Sequence, residues 1–182
     1  MGIAAPIHRL SPADYPAWEA VQPDRNELFD GVPYALAGPG RLHEEVTTAL
    51  ASLLWAHLRG SPWRVYKSHR RLQVSSDFFY PDVVVTGDAA DRRTDGALKT
   101  PAVIIEVVAR PTATFDRGEK RARYATLPSL QLYLVVDPET RAIELYDRAK
   151  GWVAIALSPD EPLVIAPLSF SITQAEVFST LD

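Results

Sequence analysis

A single acidic residue, Glu106, interrupts an otherwise apolar run from Ala102 to Ala109. Valine, isoleucine and alanine in unbroken succession are typical of a strand buried on both faces, and the run is too short for an ordinary helix. Burying a carboxylate costs free energy unless it is paired, hydrogen-bonded or bound to a metal. Because Asp82 directly precedes a second apolar segment, at residues 83–85, the two acids predict a cation site on neighbouring strands.

The composition predicts one domain that spans residues 1–182, since no repeat or Gly/Ser linker divides the chain. The absence of cysteine excludes disulfides, thiolate nucleophiles and cysteine-based zinc sites. No apolar run reaches the roughly 18 residues needed to cross a membrane. The first residues lack the basic start and apolar core of a secretion signal. We therefore expect a cytoplasmic protein with no membrane partner.

The distribution of charge bears on nucleic-acid binding. A net charge of −4 argues against an avid, non-specific binder of nucleic acids. Residues 60–123, however, hold 12 basic and 8 acidic side chains, whereas the whole chain holds 19 and 23. The basic residues are thus concentrated in the segment that contains Asp82 and Glu106, although random clustering on the surface explains this equally well.

The order of predicted elements is that of a mixed α/β fold. A strand pair with a turn at Asp-Gly is expected over residues 27–34. Apolar residues at helical spacing predict a long helix over residues 41–58, and a second helix is expected over about 114–127. Buried strands are expected at 102–109 and 132–136. On the second helix, Asp116, Lys120 and Tyr124 recur every four residues and so share one face.

Six short motifs follow one another in a characteristic order between residues 27 and 150. They are Glu27-Leu-Phe-Asp-Gly31, His43 at the start of the long helix, Pro81-Asp82 before an apolar strand, Glu106-Val-Val-Ala-Arg-Pro-Thr112, the Asp116, Lys120 and Tyr124 helix, and Tyr133-Leu-Val-Val-Asp-Pro138. In this order and spacing the chain resembles the Uma-two family of restriction-endonuclease-like proteins, a branch of the PD-(D/E)XK nuclease superfamily that was formerly a domain of unknown function.

The resemblance implies an α/β fold in which a mixed β-sheet of restriction-endonuclease-like type is flanked by helices. It also implies that Asp82, Glu106 and Lys120 are catalytic, with Asp82 and Glu106 as metal ligands. Carboxylates suit Mg²⁺ (or Mn²⁺), a hard cation that keeps several waters. Such an ion lowers the pKa of bound water and stabilises charge that develops on a phosphodiester, while a lysine positions the water or neutralises that charge.

Two residues depart from the superfamily pattern. Val108 stands where the superfamily places its lysine, so the resemblance implies that Lys120 on the following helix has taken over that role. Ala109 stands where the family usually has serine, and Arg110 follows it. The carboxylates and the lysine are nevertheless intact.

Further residues are candidates for the same site. His43 and Glu45 at the start of the long helix are possible additional members; for His43 a simple polar role in the first helical turn is the alternative, and Glu44 is an alternative to Glu45. Lys67, Arg70 and Arg71 are possible nucleic-acid contacts, unless they only guard an exposed edge strand. Glu106 could instead pair with an arginine, and Lys120 could form an exposed pair with Asp116.

The sequence therefore predicts a metal-dependent endonuclease that hydrolyses DNA, with DNA as partner. By analogy with nucleases of this fold, a homodimer is expected. The alternative is a catalytically inactive module with a nuclease fold that binds nucleic acid or a protein. These hypotheses differ in geometry: catalysis requires the two carboxylates to lie within reach of one cation and Lys120 to face them.

Overall fold

A six-stranded mixed sheet forms the centre of the computed structural model, which describes residues 9–36, 38, 40–108 and 113–181. The strand order is β10-β9-β8-β7-β6-β3, and only β7 and β8 are parallel. The strands are β3 (Arg64–Lys67), β6 (Val83–Thr86), β7 (Val103–Val107), β8 (Leu132–Asp137), β9 (Ala142–Asp147) and β10 (Ala154–Ala156). This arrangement confirms the predicted mixed α/β class with helices that flank the sheet.

The pairing of β6 with β7 sets the position of the two predicted acids. The strands are antiparallel, and Val83 lies opposite Ile105. The next residues outward are therefore Asp82, which directly precedes β6, and Glu106. Glu106 lies inside β7, and every residue of that strand is buried.

One face of the large sheet is covered by the long helix α2 (Arg41–Leu58). Its residues Val46, Leu50, Leu54 and Leu58 are buried against the odd-numbered side chains of β6 and β7. The same core includes the hairpin of β11 (Leu163–Ile165) and β12 (Phe170–Ile172) and the short helix α5 (Gln174–Val177). The apolar stripe predicted from Leu42, Val46, Ala49, Leu50 and Leu53 is confirmed only in part, since Val46 and Leu50 are buried but Leu54 and Leu58, not Leu53, complete the buried stripe.

The opposite face carries a small sheet of order β2-β1-β5-β4 and a composite helix. These strands are β1 (Asn26–Phe29), β2 (Val32–Ala35), β4 (Leu72–Val74) and β5 (Asp77–Phe79), with α1 (Tyr15–Glu19) before them. The turn between β1 and β2 has positive φ at Asp30 and Gly31, as an Asp-Gly hairpin requires. A second core forms here around Phe79, Tyr124, Tyr133 and Ile104.

The composite helix differs from the sequence expectation. Instead of one α-helix over about 114–127, the chain forms α3 (Ala113–Phe115), a π-helical turn (Asp116–Lys120) and α4 (Arg121–Tyr124). Such π turns are found frequently at functional sites. Among the helices of the described residues, none has the length and apolar character needed to cross a bilayer.

Candidate active site

The carboxylates of Asp82 and Glu106 each accept a backbone N–H from the neighbouring segment of the sheet. The backbone N–H of Asp82 donates to Oε2 of Glu106 at 3.3 Å, and the N–H of Val107 donates to Oδ2 of Asp82 at 2.8 Å. Glu106 is only 4% exposed, whereas the Asp82 side chain is partly exposed. The pair therefore lies at the end of the buried sheet, with its Asp82 side open to solvent.

The Lys120 ammonium lies within a group of three carboxylates. It is 2.9 Å from Oε1 of Glu27, 3.2 Å from Oε1 of Glu106 and 3.5 Å from Oδ1 of Asp116. Lys120 is 6% exposed, so it is neither directed to solvent nor limited to a surface pair with Asp116. The structure thus brings together Lys120 and Glu106, as expected if the two belong to one site.

Tyr124 and the π-helical turn complete the surroundings of Glu106. The Tyr124 hydroxyl donates to Oε1 of Glu106 at 2.9 Å, so this tyrosine binds the carboxylate as well as packing in the core. The Tyr133 hydroxyl donates to the carbonyl of Asp116 at 3.0 Å and so anchors the π turn to β8. Of the arginines that could pair with Glu106, Arg71 instead pairs with Glu19, and Arg110 lies outside the described residues.

Burial and charge act in opposite directions on these groups. Burial raises the pKa of the Glu106 carboxyl well above its usual range; the charge of Lys120 opposes this rise, while Asp82 and Asp116 add to it. Burial lowers the pKa of the Lys120 ammonium, but the charges of Glu106, Glu27 and Asp116 outweigh burial and raise it well above its ordinary value. Lys120 is therefore positively charged, and negative charge is in excess around it.

His43 extends the site toward solvent from the start of α2. Its Nε2 lies 3.0 Å from Oδ1 of Asp82. Burial lowers the pKa of the imidazole, but the hydrogen bond and charge of Asp82, with the charge of Glu44, outweigh burial and raise it. Its buried Nδ1 has no hydrogen-bond partner within the described part of the chain. The structure thus places His43 beside the candidate carboxylates.

The two acidic residues of α2, Glu44 and Glu45, bind basic side chains outside the candidate site. Glu45 forms an ion pair with Arg41 one helical turn away, at 2.8 Å. Glu44 binds Lys67 at 2.9 Å. The structure therefore does not bring Glu45 into contact with Asp82 or Glu106. Glu44 is likewise bound to a different partner.

The three basic residues proposed to contact nucleic acid are not equivalent. Lys67 is held by Glu44 and by the Thr48 hydroxyl, at 2.9 and 2.8 Å. Arg70 lies over the ring of Tyr66 and donates to the carbonyl of Thr94. Arg71 pairs with Glu19 at 3.3 Å. Arg70 and Arg71 line a common cavity, described below, whereas Lys67 lies on the side of α2.

Sequence reasoning missed one carboxylate of the site. Glu27 is 5% exposed, binds Lys120 and also accepts the backbone N–H of Tyr80 at 2.9 Å. The available signal was an acid beside the apolar Leu28 and Phe29 in a hairpin strand, inside the first motif of the family pattern. Residues 109–112, which include Ala109 and Arg110, lie outside the described residues.

The donor set fits a divalent cation that retains water. Within residues 9–36, 38, 40–108 and 113–181, no group of three or more histidine, cysteine or acidic side chains is arranged to hold a metal ion by itself. A cation at this place would have Asp82 and Glu106 as protein ligands and water as the remaining ligands, a coordination that Mg²⁺ accepts. Three acidic side chains, of Glu106, Glu27 and Asp116, surround the single ammonium of Lys120, and Asp82 lies beside Glu106. Acidic groups thus outnumber the lysine, which favours binding of a cation.

Comparison with known proteins identifies the family to which the chain belongs. A family model described as "Putative restriction endonuclease", Uma2, matches residues 12–176. The chain is 30% identical over 182 residues to the uncharacterized protein slr1290 of Synechocystis sp., covering 98% of this chain and 96% of that protein. It is also 30% identical over 164 residues to the uncharacterized protein sll1609 of the same organism, covering 86% of this chain and 92% of that protein.

A solved structure has the same fold. It is the crystal structure of a putative nuclease of DUF820 from Anabaena variabilis, with a TM-score of 0.82 and 13% sequence identity. The match covers 95% of this chain and 99% of that chain. At this identity the likeness shows the fold, and it confirms the predicted restriction-endonuclease-like architecture.

Proposed function

Because the chain belongs to the Uma2 family of restriction-endonuclease-like proteins, we propose that it is a metal-dependent endonuclease that hydrolyses DNA phosphodiester bonds. One observation carries the proposal: Asp82, just before β6, lies beside Glu106 of β7, each carboxylate accepts a backbone N–H from the other segment, and the Lys120 ammonium lies 3.2 Å from Glu106. Mg²⁺, or Mn²⁺ in its place, is the proposed cofactor.

In the proposed mechanism, the carboxylates and the lysine of the site have separate roles. Asp82 and Glu106 hold the cation. When bound, it supplies Lewis-acid chemistry, activating water and neutralising charge on the phosphate. Water adds to phosphorus, one P–O ester bond breaks, and the proton from water is taken up by the leaving oxygen. Lys120 contributes fixed positive charge, which stabilises the developing negative charge or positions the water.

Three further side chains position the proposed catalytic residues, namely those of Glu27, Asp116 and Tyr124. Glu27 and Asp116 hold the Lys120 ammonium in place, and Tyr124 orients Glu106 by its hydrogen bond at 2.9 Å. Groups that fix the ligands of a metal commonly change affinity or activity about 10- to 100-fold when they are removed. His43 fixes one oxygen of Asp82 in the same way.

A second candidate function follows from the hydrogen bonds that the protein already donates to both oxygens of the Glu106 carboxylate. Its Oε1 accepts from Lys120 and Tyr124, and its Oε2 accepts from the backbone of Asp82. A carboxylate satisfied by the protein itself is compatible with a module that keeps the fold and binds nucleic acid or a protein partner without turnover.

Cleavage of supercoiled plasmid with Mg²⁺ or Mn²⁺ separates the two functions. The wild type is expected to nick the plasmid only with metal, and Asp82→Asn and Glu106→Gln are expected to abolish nicking. Asp160→Asn, which changes an exposed carboxylate remote from the site in sequence, is the matched control and should cut like the wild type. A wild type that cuts with neither metal would leave the binding module as the function.

A further inference from the structure

A polar cavity of about 400 Å³ adjoins the candidate active site. Its wall is formed by the end of α1, the segment before β1, the turn after β3 and Tyr80. Cavities of this size take a single small group, and a DNA duplex is far too wide to enter one.

Two hydrogen-bond routes connect the cavity wall to the site. The Ser68 N–H donates to the carbonyl of Asp82 at 2.9 Å, and the Ser68 carbonyl accepts from the Arg25 guanidinium at 3.1 Å. Separately, Tyr80 donates its N–H to Glu27, the carboxylate that holds Lys120. The cavity is therefore built into the same framework as Asp82 and Lys120.

The charges that line the cavity are balanced. Three arginines are opposed by three acids, namely Arg25, Arg70 and Arg71 against Glu19, Asp24 and Asp95. Glu19 and Arg71 satisfy each other in an ion pair at 3.3 Å, and the Tyr80 hydroxyl donates to Glu19 at 2.7 Å. Phosphate groups are bound by clustered cationic side chains. Because this cavity has no excess of positive charge, it is poorly suited to a phosphate alone.

Hydrogen-bonding capacity remains on both sides of the cavity. No residue in the described part of the chain donates to the carboxylates of Asp24 and Asp95. Among the other lining residues, Arg70 has a buried Nε without a partner among the described residues, and Arg25 lies over the Tyr80 ring at 5.4 Å with guanidinium donors to spare. A ligand for this cavity must therefore offer both donors and acceptors, be nearly neutral and be small.

We propose that this cavity receives one unpaired nucleobase of the DNA strand that lies in the active site. Base edges carry donors and acceptors together, arginine donates to base acceptors, and aspartate accepts from exocyclic amino groups. Since a base inside a duplex cannot reach such a cavity, the substrate is DNA that is single-stranded or from which a base is turned out. This inference rests on the proposed nuclease function and names its substrate class.

Binding of short fluorescent oligonucleotides, followed by anisotropy in EDTA, tests the inference without turnover. The wild type is expected to bind single-stranded DNA about tenfold more tightly than the matching duplex, and more tightly than a sugar-phosphate strand without bases. Arg25→Ala and Asp95→Asn should each remove most of this preference. Lys150→Ala, which removes an exposed positive charge outside the cavity, should leave it unchanged.

The behaviour of Asp95→Asn distinguishes a base from a phosphate in the cavity. If a base is bound, replacing the carboxylate by an amide removes one acceptor oxygen and the charge that strengthens the other, which weakens binding; if a phosphate is bound, losing a negative charge strengthens it. Tighter binding by Asp95→Asn, equal binding of the three DNA forms by the wild type, or no binding would each overturn the inference. Plasmid nicking is scored separately, so selective binding without nicking would uphold the cavity while removing the nuclease function.

Discussion

The Lys120 ammonium lies closer to Glu27 than to Glu106, at 2.9 Å against 3.2 Å. Glu27 belongs to β1 of the small sheet, and Glu106 belongs to β7 of the large one. The lysine therefore connects the two sheets through buried charge, and the position of its ammonium beside Glu106 depends on both. A residue proposed for catalysis is thus also part of what holds the two layers together.

The first prediction concerns the loss of this charge. Lys120→Met keeps the length of the side chain but leaves Glu27, Glu106 and Asp116 without their shared cation. Removing one partner from a buried ion pair typically costs about 3–5 kcal/mol. We expect a loss of that order in the free energy of unfolding, measured with urea, together with loss of nicking.

Lys150→Met is the control for Lys120→Met, since Lys150 is exposed. It should change the free energy of unfolding by no more than about 0.5 kcal/mol, as is usual for surface substitutions. If Lys120→Met reduced the free energy of unfolding as little as Lys150→Met does, Lys120 would not be the cation that balances the buried carboxylates.

The second prediction separates a positioning role from a structural one at Glu27. Glu27→Gln keeps an oxygen that can accept from Tyr80 but removes the charge that holds Lys120. We expect the rate constant for nicking at saturating DNA to fall about 10- to 100-fold, with little change in the DNA concentration for half-maximal rate. Glu27→Asp, which restores the charge, should recover part of the rate.

The matched control for Glu27→Gln is Glu119→Gln, because Glu119 is an exposed acid on the same π turn as Lys120. Its rate should equal that of the wild type. An unchanged rate in Glu27→Gln would mean that Glu106 and Asp116 suffice to position the lysine.

The third prediction concerns pH and the buried Asp77. Burial raises the pKa of its carboxyl above the ordinary value, although the N–H of Asp30 and the charge of Arg123 oppose the rise. The folded protein therefore holds this proton more firmly than the unfolded chain. The resulting contribution to stability is complete below the unfolded pKa and is lost as the pH rises through the raised folded pKa.

Asp77→Asn removes this titration and makes it measurable. Across a series of urea unfolding experiments at increasing acidic pH, the stability of the wild type relative to Asp77→Asn should decrease as the pH rises. A relative stability that increases over the same range would show that the ion pair with Arg123, at 3.1 Å, outweighs burial.

Local signals made the two candidate acids and the general fold predictable. A carboxylate inside an apolar strand is unusual enough to identify Glu106, and the apolar segment after Asp82 predicts the neighbouring strand. The Asp30-Gly31 turn likewise depends on nearby residues and is found as predicted, whereas the stripe of α2 is found in part, with Leu54 buried in place of Leu53.

The features that were not predicted depend on contacts between distant segments. Glu27 joins Lys120 only because the small sheet packs against the composite helix, and nothing in the strand itself indicates this. The spacing of Asp116, Lys120 and Tyr124 fits an α-helix, and the π turn is stabilised by contacts such as that of Tyr133 with the Asp116 carbonyl. That Glu44 and Glu45 bind Lys67 and Arg41 instead of joining Asp82 and Glu106 also depends on how α2 lies on the sheet.

Binding of Mn²⁺, followed by electron paramagnetic resonance, tests the central claim most directly, namely that Asp82 and Glu106 share one cation. The account predicts one bound Mn²⁺ per wild-type chain, displaced by Mg²⁺, lost in both Asp82→Asn and Glu106→Gln, and retained in Asp160→Asn. Thermal unfolding of each variant would verify that it is folded. Mn²⁺ binding that persists unchanged in either folded site variant, or is absent from the wild type, would contradict the account.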